Sequence, residues 1–80
     1  MKMFEFMVQF RSFRDVMDFS AISAKQTLHL TVGNDRYQVN ATSFMGIFAL
    51  NCRKPLRVNV SCTQEEFDAL LVTYDRFLVK

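Results

Sequence analysis

The chain has no tryptophan, one proline, one histidine, two glycines and two cysteines among its 80 residues. Each shortage removes a class of explanation. Cys52 and Cys62 stand apart, with no Cys-x-x-Cys pair and no histidine beside them, so metal-ligand spacing is missing and reduced thiols are expected. No linker, repeat or low-complexity tract divides residues 1 to 80, which read as a single domain. No apolar run approaches the roughly 20 residues of a membrane span. The opening "MKMFEFMVQF" is interrupted by Glu5 and Gln9 and is followed by no small-residue cleavage site, so it reads as mature protein rather than a signal peptide. A cytoplasmic protein is the expectation. Neither charge is in large excess: ten basic and eight acidic residues are interspersed, net +2, and no basic run points to nucleic acid or to a membrane surface.

What is present is core material. The apolar fraction is 50%, with nine Phe and five Met, which excludes a disordered chain. Strict alternation marks a first strand, with Phe4, Phe6, Val8 and Phe10 on one face and Met3, Glu5, Met7 and Gln9 on the other. Residues 27 to 32 repeat the pattern, with Leu28, Leu30 and Val32 inward and Thr27, His29 and Thr31 outward. Gly33-Asn34-Asp35 supplies turn chemistry before a returning strand in which Tyr37, Val39 and Ala41 alternate. A fourth strand over 56 to 62 puts Leu56, Val58, Val60 and Cys62 inward. Four half-buried strands predict an antiparallel sheet with one solvated face.

Helices must cover the other face. Residues 13 to 24 carry Val16, Met17, Phe19 and Ile22 among helix-compatible residues. The last segment opens on Thr63 with Glu66 three residues later, a capping box, and continues with Phe67, Leu70, Leu71, Tyr74, Phe77 and Leu78 at helical spacing. The expected order is β-α-β-β-α-β-α, an α+β open-faced sandwich. The short helix of that order falls in "SFMGIFAL", residues 43 to 50. One helix face needs only three or four apolar positions, and this segment exceeds that. Two readings stay open: complete burial in a small fold, or a surface of Phe44, Met45 and Phe48 that faces a partner. Ser43 likewise reads as a helix N-cap or as a phosphorylation site, and the two are compatible.

The order of elements, together with Val39-Asn40-x-x-Ser43-x-Met45-Gly46-x-x-x-Leu50, resembles HPr, the phosphocarrier family of the bacterial phosphotransferase system. In that family the short second helix begins at a regulatory serine, and its apolar surface is where enzymes and a transcriptional regulator dock. The resemblance implies regulatory phosphorylation at Ser43 and partner binding by Phe44, Met45 and Phe48. HPr carries phosphate on a histidine at the start of the first helix, in a motif like His-x-Arg-Pro. Here Ser12-Phe13-Arg14-Asp15 takes that place, so Ser12, Arg14 and Asp15 read as a degenerate phosphocarrier site. The one histidine, His29, falls by parity on the open face of the second strand.

The expectation is an HPr-like regulatory or adaptor protein, not an enzyme and not a histidine phosphocarrier, similar in kind to the Crh paralogue of HPr. Its implied partners are an HPr-type kinase and a transcriptional regulator or phosphotransferase-system enzyme, with no cofactor and no metal. The alternatives are an atypical phosphocarrier and a self-associating structural module; a monomer or weak homodimer fits either. RNA recognition needs aromatic residues on the open face of the sheet, and the outward strand positions supply none.

Overall fold

Strand pairing and capping build the expected order in the computed structural model, which describes residues 1 to 79. The elements are β1 (Lys2–Val8), α1 (Phe13–Ala24), β2 (Leu30–Gly33), β3 (Gln38–Asn40), α2 (Phe44–Phe48), β4 (Leu56–Cys62) and α3 (Gln64–Thr73). The sheet runs β1-β4-β2-β3 and every pairing is antiparallel. Register explains the buried face: Phe6 lies opposite Val58 and Leu30 opposite Val60, so residues of like parity meet on one side. Phe6, Val8, Phe10, Leu30, Val32, Leu56, Val58, Val60 and Cys62 are all buried there. Met3 and Met7 stand exposed on the opposite face.

The helices close the core with aromatic rings. Phe19 of α1 meets Phe10, Tyr74 and Phe77 at centroid distances of 5.1, 5.1 and 5.6 Å. Such pairs add about 0.5–1.5 kcal/mol each beyond area burial. The Tyr74 hydroxyl and Ser23 Oγ share a hydrogen bond of 2.9 Å, which satisfies both groups in a dry interior. Burial pushes the Tyr74 phenol pKa up, and the bond to Ser23 opposes that shift. Thr63 and Glu66 complete the capping box at the start of α3.

The structure departs from the sequence expectations at four places. The second strand begins at Leu30, not at residue 27: Thr27 and Leu28 form a bend, and exposed His29 precedes the strand. Tyr37 lies in the turn and is exposed, because Asn34 Oδ1 accepts from the backbone N–H groups of both Arg36 and Tyr37 and curls the chain there. The second helix is five residues long rather than eight, since Leu50 turns back into the core and the chain bends again at Asn51. The last helix ends at Thr73. A 3-10 turn over Asp75–Phe77 follows, and Leu78 then bridges Val8, so the inward side chains of 74 to 78 reach the core without one continuous helix.

Both cysteines are free thiols. Cys62 points into the core from β4, and Cys52 donates its S–H to the Ile47 carbonyl at 3.3 Å. Burial pushes both thiols up, helped at Cys62 by the charge of Glu66. A raised folded pKa contributes stability that is complete below the unfolded value of about 8.5 and is lost as pH climbs through the folded value. The urea midpoint should therefore fall on mild alkalinisation. Iodoacetamide at mildly alkaline pH is expected to leave Cys62 unmodified in the native protein and to alkylate both thiols in urea, read by intact mass.

Candidate functional site

Two helix starts hold the residues singled out by the sequence. At the first, Ser12 is extended and its Oγ accepts from the Asp15 N–H at 3.2 Å. Asp15 reciprocates: Oδ2 accepts from the Arg11 N–H at 3.0 Å. This is a helix cap that satisfies donors otherwise left open at the first turn. The remaining oxygen, Oδ1, receives Arg76 Nη2 at 2.8 Å, and the same guanidinium reaches Asp18 at 3.0 Å. Hydrogen bonding to Asp18, followed by Asp15, holds the Arg76 pKa above its ordinary range. Arg14 stands out in solvent and, among the described residues, pairs only with Asp18, at 3.4 Å.

The chemistry of this corner follows from its charges. A helix start attracts anions through its free N–H groups. Here a carboxylate already occupies that role and is itself neutralised by Arg76. Ser12, Arg14 and Asp15 are thus brought together as a cap and an ion-pair cluster. His29, the only histidine of the chain, lies instead beside a cleft of about 210 Å³ shared with Gln26, Thr27, Asn40 and Thr42. Among the described residues no group of three His, Cys, Asp or Glu side chains is placed to hold a metal ion.

At the second helix start, Ser43 caps α2, its Oγ accepting from the Gly46 N–H at 3.2 Å. Gly46 keeps room for that hydroxyl: a Cβ there would lie 3.1 Å from Ser43 Oγ and 3.2 Å from Val39 Cβ. The apolar run divides between core and surface. Ile47 and Leu50 are buried, Phe44 and Met45 are exposed, and Phe48 is half-buried.

Phe48 rests on a residue that sequence reasoning left out. Phe13, 66% exposed, stacks on it with ring centroids 4.7 Å apart and planes 20° from parallel. Phe44 meets Phe48 edge-on at 6.3 Å. Phe13 continues the Val16 stripe of α1 by one turn, where it meets α2 instead of the sheet. The signal was an aromatic beside a capping serine. The two helix starts therefore share one surface, Phe13-Phe48-Phe44 with Met45 beside it, adjoining the Ser12/Asp15 cap.

No family model and no curated protein matches the chain. Solved structures do. HPr-C-His from Thermoanaerobacter tengcongensis superposes with a TM-score of 0.68 over 92% of this chain and 90% of its own, at 24% identity. The phosphocarrier protein HPr from Bacillus anthracis str. Ames gives 0.66 over 92% and 98%, at 22% identity. Strand order, helix placement and these superpositions agree that the chain has the HPr-like fold.

Proposed function

We propose that the protein is an HPr-like regulatory adaptor of the sugar phosphotransferase system, and not an enzyme or a histidine phosphocarrier. Its working surface is Phe13, Phe44, Met45 and Phe48, and Ser43 is its switch. One observation carries this reading: ring-on-ring contacts join the start of α1 to α2 in a single apolar surface, while Asp15 and Arg76 close off the corner that a phosphoryl group would need. Exposed aromatic and methionine side chains in one patch are adaptable anchors for a protein partner. An HPr-type kinase would transfer the γ-phosphoryl group of ATP to Ser43 Oγ, with loss of the hydroxyl proton and departure of ADP. The product sets about two negative charges beside Phe44 and Met45, which changes the partners that the patch accepts.

Intact mass after incubation with ATP and an HPr-type kinase tests the switch. One added phosphate is expected in the parent protein and none in Ser43→Ala. Incubation with phosphoenolpyruvate and Enzyme I should add none to either, because the chain has no histidine at a helix start. Phosphate gained through Enzyme I would replace the adaptor reading with an atypical carrier. No gain with the kinase would leave Ser43 as a cap.

A further inference from the structure

A separate feature lies on the open face of the sheet, away from the aromatic surface. At the end of the strands, Arg57 of β4 sits between Met7 of β1 and Gly33 of β2 in the pairing register. The turn after Gly33 folds in over this row so closely that a Cβ on Gly33 would overlap the Tyr37 carbonyl. That turn forms one wall of a cleft of about 650 Å³, and the loop before β4, with Lys54 and Pro55, forms the other. The volume is in the range of small-molecule sites.

The charges in the cleft are unevenly used. Arg57 is fixed by Glu5 at 3.3 Å and Asp35 at 3.4 Å. Arg36, from the turn after β2, and Lys54, from the loop before β4, have no side-chain partner among the described residues. An asparagine closes the turn at each cation: Asn34 Oδ1 accepts from the Arg36 N–H at 2.8 Å, and the Asn51 carbonyl accepts from the Lys54 N–H at 3.3 Å. The walls are thus ordered while their charges remain free. Half-exposed Met7, together with Pro55, gives the cleft an apolar side.

We infer that this cleft binds a small organic phosphate, with the phosphate between Arg36 and Lys54 and the organic part on Met7 and Pro55. A guanidinium and an ammonium lining one cleft suit a compact anion, and a single apolar side favours an organic ester over the free ion. The inference is independent of the adaptor reading and survives its failure.

Amide chemical-shift titrations with inorganic phosphate and with phenyl phosphate test it. Phenyl phosphate should give saturable shifts centred on Gly33, Asp35, Arg36, Lys54 and Arg57, with affinity at least about ten-fold above that of inorganic phosphate. The exposed double variant Arg36→Ala/Lys54→Ala should bind phenyl phosphate about ten-fold more weakly with its other amide shifts unchanged, and Met7→Ser should erase the preference for the ester. Non-saturating shifts that also cover Lys2, Arg11 and Lys25 would overturn the site. Unchanged binding by the double variant would do the same, and equal affinity for the two probes would overturn the organic ligand.

Discussion

Gly33→Ala is expected to destabilise the protein by about 3 kcal/mol or more, near the top of the range for single substitutions. The cause is purely steric, because no glycine of the chain has a positive φ. The atoms nearest a Cβ at Gly33 are all backbone of one segment: the Tyr37 carbonyl oxygen, its carbon, and Gln38 Cα at 2.9 Å. The Tyr37 carbonyl is held by the Asn34 N–H and is followed directly by Gln38, which pairs with Gly33, so the β2–β3 turn must open. Gly46→Ala is the matched control. Its neighbours are the Ser43 hydroxyl and the Val39 side chain, which can shift by a few tenths of an ångström, and helix propensity returns up to about 1 kcal/mol. Urea denaturation of the two variants should therefore separate them widely. A Gly33→Ala loss under 1 kcal/mol would mean that the turn does not sit over the sheet as described.

Phe13→Ala is expected to lower the kcat/KM for Ser43 phosphorylation by an HPr-type kinase by about 30-fold, the effect of losing one interface hot spot. Its effect on stability should be small. Phe13 is two-thirds exposed, so the loss is mainly the stack on Phe48, about 1 kcal/mol. Met3→Ala, on the open face and 71% exposed, should leave both quantities unchanged. Equal kinase rates for Phe13→Ala and the parent would confine the docking surface to α2.

The fold was legible wherever one face alone is buried. Period-two alternation located β1 and β4, and Thr63 with Glu66 located the start of α3, because burial and capping act on residues close in sequence. The displaced strand start and the broken last helix share a cause: each depends on contacts between distant segments, whereas the turn at Tyr37 is set locally by Asn34. Whether Leu28 joins a strand depends on pairing with β4, which begins opposite Leu30. Whether 74 to 78 stay helical depends on β1, which takes Leu78 and Val79 as extended chain. At the site, Ser12 and Ser43 as caps were visible in the sequence. The Phe13 stack and the Arg76 pairing to Asp15 were not, since the first joins residues 35 positions apart and the second residues 61 apart. The motif around Ser43 pointed to α2 alone; only three dimensions placed Phe13 of the first helix against it.

The strand order has a consequence for synthesis. β1 pairs within the sheet only with β4, so it cannot dock until residues 56 to 62 have left the ribosome. Until then, Phe4, Phe6, Val8 and Phe10 form an apolar ribbon without its sheet partner in the nascent chain. Such a ribbon is what holdase chaperones capture and what seeds aggregation between neighbouring ribosomes. Slow elongation through the middle of the message would prolong that exposure, which ends only when β4 pairs with the ribbon and Phe67, Tyr74 and Phe77 cover its phenylalanines.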